Sequence, residues 1–464
     1  MAQTEADQDQ AESSGQLSRW LEDVLGCSEV VLEKQRRWRP VWRASAMQNG
    51  LKREFLLKGD RTWPTHPYPL VYEMRMQRAL HENGIPIPAI LGMCDRPNTI
   101  VMDWIDGGRD PGLVQQAIET ASVMTDDRWA ASLRYMEILA DIHRLPNQPF
   151  VDGGAYKPEG PREIALHNFE RFHAMTDEQG ITDPILEFCA RWLRRNYPKD
   201  RQSISFVTGD CGQFLSNGDQ VTGILDVEIG HLADPMRDLA CFRGRHPIEN
   251  MGDVAALFRH YETAIGVPLD YDAIAYHTVS FLAEAIYGPL FGMHEMGRGG
   301  DWVEAAVQVP MIARRCMEAL AEILDVALDD IALPSPAAAD QSDLALQKLQ
   351  AEIERLPESE TFHGWQRNVL ASIPSYLRNQ LLYRDWLRDE DASDIEELLG
   401  MSYADPSDGQ VALMQLIEKN DPSDDKALTR YFHRRMLRQC LVIAGPNAPP
   451  DHLVLVPMEP LVRR

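Results

Sequence analysis

The chain has 464 residues, 44% of them hydrophobic, enough for two or three domains with cores of their own. A formal net charge of −25, from 46 Lys and Arg against 71 Asp and Glu, disfavours a nucleic-acid backbone or an anionic membrane surface as the main partner. The seven cysteines are scattered and form no Cys-x-x-Cys pair, so neither a disulfide framework nor a zinc site is indicated, and a reducing cytoplasm fits best.

Residues 1–16 are polar and acidic, unlike a signal peptide, and read as a disordered tail. Three β-leaning runs follow, Val30–Arg36, Val41–Met47 and Phe55–Lys58, with Asn49-Gly50 as a hairpin signal between the last two. Leu70–His81 has helical spacing and stops at Asn83-Gly84, before Pro86 and Pro88. Ala89–Met93 and Thr99–Ile105 resume strand character.

From Arg128 helices dominate: Trp129–Arg144, Pro161–Ala174, Pro184–Asn196, Ile248–Gly266, Tyr271–Tyr287 and Asp301–Leu328. The most apolar long window, Val279–Met293, is interrupted by Glu284 and Pro289 and is too short to span a bilayer, so no membrane segment is expected. Pro334–Gln341 reads as a linker. Beyond it, Leu346, Leu349, Ile353 and Leu356 form a helical stripe, an ordinary core face rather than a coiled coil.

The chemistry concentrates between Phe206 and Leu239, where Asp210, Asp226, Glu228, Asp234 and Asp238 fall within one short segment. The apolar runs Ser205–Val207 and Val221–Leu225 each lead to an aspartate, and Asn217-Gly218 between them signals a hairpin. Two carboxylates at neighbouring strand ends suit phosphoryl transfer, one orienting the attacking hydroxyl and accepting its proton, the other holding magnesium on nucleotide phosphates. The plainer alternative is a hairpin with solvated acids at its turns.

Thr208–Leu239 resembles the aminoglycoside phosphotransferase and choline kinase superfamily, and the resemblance extends over about Leu17 to Leu328. The runs Gly223-Ile-Leu-Asp-Val-Glu and Asp234-Pro-Met-Arg-Asp-Leu-Ala look similar to a bacterial branch akin to the kinase domains fused to some acyl-CoA dehydrogenases. The resemblance implies an α+β, protein-kinase-like bilobal fold: an N-lobe of small antiparallel sheet plus helix over 17–107 and a mainly helical C-lobe over 108–333. A linker over 334–341 would then lead to an additional α-helical C-terminal domain over 342–464.

By the same resemblance, Asp210 would orient and deprotonate the acceptor hydroxyl, and Asp226 would bind Mg²⁺. Glu228 would support a second metal or stand behind the first. Lys58 would contact the α and β phosphates of ATP with Glu73 as its partner, and Met102, Asp103, Trp104 and Ile105 would form the hinge that receives adenine. Asp234 is expected to cap the next helix, Asp238 to brace the loop of Asp210, and His143 to be structural. A packing role is expected for Cys211.

The chain departs from the family at three places. Thr208 replaces a histidine, and Leu215 stands where an asparagine metal ligand is usual. Gln213 is the expected substitute, with Asn217 as runner-up. The loop over the phosphates, Arg36-Arg-Trp-Arg-Pro-Val, has no glycine, so Arg37 or Arg39 would offer charge-assisted contacts instead.

The expected function is Mg-dependent phosphorylation of a hydroxyl on a small metabolite or xenobiotic by ATP. Phe169, Phe172, Phe188, Trp192, Phe281, Tyr287, Phe291 and Trp302 are either plain core or part of an acceptor pocket. In the latter case an apolar hydroxylated compound or hydroxyacyl thioester is favoured over an aminoglycoside. The competing readings are a degenerate nucleotide-binding or scaffold protein, and one subunit of a two-component kinase paired through the C-terminal helices, by which a homodimer could also form.

Overall fold

The computed structural model describes residues 2–35, 39–61, 66–108, 123–294, 301–357, 361–449 and 451–462. The N-terminal lobe comprises α1 (Ala2–Leu25), β1 (Cys27–Lys34), β2 (Val41–Gln48), β3 (Leu51–Gly59), α2 (Leu70–Glu82), β4 (Ile90–Asp95) and β5 (Asn98–Asp103). Its five strands form one antiparallel sheet in the order β1-β2-β3-β5-β4. The predicted β2–β3 turn is present, with Asn49 at φ 52° and Gly50 at φ 77°, as a two-residue primed turn requires.

Strand alternation gives the sheet two distinct faces. Phe55, Leu57 and Val101 pack with Leu17 and Leu21 of α1, whereas Leu56, Ile100 and Met102 pack with Leu70 and Met74 of α2. Lys58, two residues beyond Leu56 and opposite Ile100, therefore shares the face that α2 covers. The segment read as a disordered tail through residue 16 is instead part of α1. Leu17, Trp20, Leu21 and Leu25 recur at helical spacing and bury against the sheet. A Cβ at Gly92 would lie 2.8 Å from the Trp20 ring, so glycine there admits the helix.

The second lobe begins with α3 (Asp126–Arg144), α4 (Gln148–Asp152), α5 (Gly160–Gln179) and α6 (Pro184–Asn196). Four short strands follow: β6 (Ser205–Val207), β7 (Phe214–Asn217), β8 (Gln220–Ile224) and β9 (His231–Ala233). Next come α7 (Met236–Arg245), α8 (Val254–Ile265), α9 (Tyr271–His294) and α10 (Trp302–Leu324). The chain closes with α11 (Gln341–Glu354), α12 (Thr361–Leu399), α13 (Pro406–Lys419) and α14 (Asp425–Ala444). Among the described residues no helix is long and apolar enough to cross a membrane.

The strand pairing differs from the single hairpin expected around Asn217-Gly218. β7 pairs with β8 across that turn, while β6 pairs with β9. Residues 208–213 leave the ladder after β6, so each flanking strand takes its own antiparallel partner. The two aspartate-bearing ends are joined instead by the Leu225 N–H, which donates to Gln213 O at 3.0 Å.

The helices beyond residue 340 share a core with the second lobe. Ile395, Leu413, Ile417, Leu428, Tyr431 and Phe432 belong to the same apolar cluster as Phe188, Leu193 and Leu320. Arg195 on α6 also binds Asp425 on α14 at 2.6 Å. Within the expected linker, Ala337 N–H donates to Leu382 O at 3.0 Å, laying the segment along α12.

Candidate active site

The sheet and α2 deliver the first half of the site. Lys58 Nζ lies 2.5 Å from Glu73 Oε1 and 3.0 Å from Asp226 Oδ1, which links β3, α2 and the turn after β8. Asp226 sits at φ 55°, a conformation that non-glycine residues adopt at a cost and that clusters at functional sites. Its side chain is 32% exposed, against 4% for Glu73.

Around this pair the charges alternate. Arg39 binds Glu73 at 3.0 Å and Glu228 at 2.8 Å, Arg61 also binds Glu228, and Lys58 stands 3.6 Å from Glu228. Burial alone would raise the Glu228 carboxyl, but the two guanidinium groups hold it down at about 2. For Glu73 burial prevails and pushes its pKa up against the pull of Arg39. Glu228, expected as a metal group or as support behind one, is thus occupied by arginines, which suits the supporting place.

The loop after β6 carries the second half. Asp238 accepts Thr208 N at 2.8 Å, Thr208 Oγ1 at 3.1 Å and Gly209 N at 3.1 Å. His143 Nε2 reaches the same carboxylate at 3.2 Å, and Tyr261 holds its other ring nitrogen at 2.7 Å. The expected bracing role of Asp238 and structural role of His143 are both present. An imidazole therefore does meet Asp238, but from α3 rather than from position 208. Gly209 has φ 79° and a Cβ there would lie 2.5 Å from Ile229 O, so the loop admits only glycine.

Asp210 accepts bonds from both sides, Arg245 at Oδ1 and Gln213 Nε2 at Oδ2. Its side chain remains 29% exposed. Burial pushes its pKa up to about 6, with Arg245 opposing the rise. Gln213 therefore bonds Asp210 through its amide nitrogen and Leu225, the residue before Asp226, through its backbone carbonyl. The runner-up, Asn217, ends β7 opposite Gln220, at the turn.

Asp234 accepts Met236 N at 3.0 Å, as expected of a helix-starting acid, and is gripped by Arg201 through two bonds of 2.7 Å. Cys211 is buried, lies 3.2 Å from Tyr135 Oη, and has its thiol pKa pushed well up by burial, which suits packing and not nucleophilic chemistry.

The hinge residues follow β5. Met102 is buried, and Asp103 N–H donates to Ala89 O at 3.0 Å. Trp104 N–H donates to Glu54 O at 3.2 Å, so that amide belongs to the sheet. Arg43 stands 4.5 Å above the Trp104 ring, and the Ile105 side chain packs where a Cβ on Gly223 would lie 2.9 Å away. Arg37 and the glycine cluster at 297–300 lie outside the described residues. Of the aromatic residues weighed as pocket lining, Phe169, Phe188, Tyr287 and Phe291 are core, each at most 2% exposed, whereas Trp302 is only partly buried.

Sequence reasoning did not single out Arg61, Arg245, Glu249 or Arg201. Arg245 and Glu249 were accessible in principle, since an Arg and a Glu four apart at a helix end are a known pairing signal. Among the described residues no three His, Cys, Asp or Glu side chains cluster as a metal cage.

Residues 53–277 match the family described as "Phosphotransferase enzyme family". The chain therefore carries a phosphotransferase-family domain. That domain contains Lys58, Glu73, Asp210, Asp226 and Asp238, and stops before α10. Acyl-CoA dehydrogenase family member 10 of Mus musculus is 23% identical over 206 residues, which are 42% of this chain and 18% of that protein. The chain thus matches less than a fifth of the length of that relative.

Among solved structures, a Ralstonia eutropha protein named provisionally as an aminoglycoside phosphotransferase is 16% identical, with a TM-score of 0.48 over 66% of this chain and 97% of that one. Macrolide 2'-phosphotransferase MphH from Brachybacterium faecium is 15% identical, with a TM-score of 0.43 over 63% and 97%. A thermostable mutant of aminoglycoside phosphotransferase APH(4)-Ia, in ternary complex with ADP and hygromycin B, is 13% identical, with a TM-score of 0.43 over 65% and 96%.

Proposed function

We propose that this protein is an ATP-dependent kinase that phosphorylates a hydroxyl group of a small molecule. The observation that carries the reading is Lys58, placed 2.5 Å from Glu73 and 3.0 Å from Asp226 inside a phosphotransferase-family domain whose other acid, Asp210, keeps an open edge. A cation held between a helix glutamate and a loop aspartate is the arrangement that receives nucleotide phosphates.

The donor set suits magnesium. Asp226 and the side-chain oxygen of Gln213 are hard oxygen donors, and Mg²⁺ is commonly held by one or two protein groups plus substrate phosphates, not by a full protein cage. Asp226 and Gln213 would hold the ion, Lys58 the phosphates, and the backbone from Met102 to Ile105 the base. Bound MgATP supplies the electrophilic phosphoryl group. Asp210 orients the acceptor hydroxyl and takes its proton, the role for which its open edge is suited. Glu228 keeps Arg39 and Arg61 in place.

Nothing in the site requires a covalent enzyme intermediate, since the substrate brings the nucleophile. The acceptor proposed is an alcohol, phenol or hydroxyacyl compound. The test has two readouts: thermal shift with MgATP, and γ-phosphate transfer over a panel of hydroxyl compounds. Asp210→Asn should abolish transfer while the nucleotide-induced shift persists. A protein showing neither shift nor transfer is not a kinase.

A further inference from the structure

We propose that Arg245 is a positioning residue for phosphoryl transfer, one that fixes the plane of the Asp210 carboxylate; the inference rests on the kinase reading above. One guanidinium nitrogen donates to Asp210 Oδ1 and another to Glu249 Oε1, while Gln213 Nε2 donates to Asp210 Oδ2. A planar fork can bridge two carboxylates in one fixed geometry, whereas an ammonium is a point charge on a flexible stem. Each Asp210 oxygen accepts one of these bonds and retains capacity for an incoming hydroxyl.

The support behind Arg245 is itself rigid. The Arg245 and Glu249 side chains are 12% and 8% exposed, and Glu249 N–H returns to Arg245 O at 3.0 Å. Arg315 on α10 donates to the carbonyls of Gly244, at 3.2 Å, and of His246, so both neighbours of Arg245 are tied down. The chain after α14 completes the clamp: Glu459 lies 3.2 Å from His246 Nε2, and its carbonyl accepts Arg243 at 3.2 Å. An open carboxylate thus meets a closed, immobilised arginine, and this asymmetry assigns Arg245 to holding the base.

Arg245→Ala, Arg245→Lys and Glu249→Gln test this, with ADP release from MgATP measured using water and a panel of primary alcohols, phenols and hydroxy acids as acceptors. In Arg245→Ala, kcat should fall on the order of 10²-fold, the cost of misplacing a reacting group by about an ångström. KM for ATP and ADP affinity should hold. Millimolar guanidinium should restore part of kcat, and Arg245→Lys should fall between, keeping the charge without the fork.

Loss of an ion pair that served stability alone would lower the melting temperature and leave kcat per folded molecule in place, unresponsive to guanidinium. That result overturns the inference. Should Arg245→Ala fail to fold, unchanged kcat in both Arg245→Lys and Glu249→Gln overturns it equally. Wild-type protein without turnover on any acceptor sinks the kinase reading and the inference with it. Turnover lost in Asp210→Asn but intact in Arg245→Ala sinks the inference alone.

Discussion

Thr208 Oγ1 lies 3.1 Å from Asp238 Oδ2, and its backbone N–H meets the same oxygen at 2.8 Å. The threonine therefore keeps the turn before Asp210 tied to α7 without an imidazole. Asp238→Asn exchanges one accepting oxygen for a donor among buried donors and should cost about 3 kcal/mol of stability. Thr208→Val loses only the hydroxyl bond, about 1 kcal/mol. Urea unfolding of the two variants measures both, and a larger loss in Thr208→Val would contradict the assignment.

Lys58→Met should weaken ADP binding on the order of tenfold or more, the worth of a hydrogen bond to a charged group. Glu228→Gln should act differently. It leaves Arg39 and Arg61 without their shared anion and should destabilise the protein by about 3 kcal/mol, with the magnesium titration unmoved. A raised magnesium requirement in Glu228→Gln, matching that of Asp226→Asn, would return Glu228 to the metal.

Gln213→Ala removes both an oxygen donor and the amide on Asp210 Oδ2. Turnover should require more magnesium and also fall at saturating magnesium. An unchanged titration would place the ligand elsewhere.

Buried histidines make one part of the protein's stability acid-sensitive from the mid-sixes of pH. Burial pushes His66 down to about 4 and also lowers His231, His246 and His277. A histidine whose folded pKa lies below its unfolded value of about 6.5 contributes stability that is complete above 6.5 and declines as pH falls toward the folded pKa. Each such group adds a slope of at most about 1.4 kcal/mol per pH unit. Asp210, raised to about 6, works oppositely between 6 and its unfolded value, and so do the other acids that burial raises, Glu73, Asp183 and Glu284 among them. Glu228 begins to add its own loss below its unfolded value near 4.5. His66→Gln removes one of the acid-sensitive groups, so between about pH 6.5 and 4.5 its melting temperature should drop less than that of the unaltered protein; parallel curves would refute the assignment.

Much of the first lobe was legible, because its strands alternate and Asn49-Gly50 dictates its turn. Lys58 and Glu73 could be paired from their order on strand and helix. Among the described side chains of α1, four apolar residues, Leu17, Trp20, Leu21 and Leu25, pack toward the sheet, too few for helical periodicity to stand out in a polar segment. β6 and β9 are three residues each, too short for periodicity to select a partner. The boundary at 334–341 follows composition, whereas the core runs through it, since Phe432 and Leu413 pack with the second lobe.

Order and spacing along the chain suffice for the inventory: a lysine at a strand end, a glutamate on the next helix, and five acids around a glycine-bearing loop. Which of those acids is open to a ligand was decided only by the tertiary structure. Arg61 reaches Glu228 across 167 positions and Arg245 reaches Asp210 across 35. A carboxylate's role depends on whether a cation stands beside it and how much water remains. Both are set by packing between distant segments, and neither is written in local spacing.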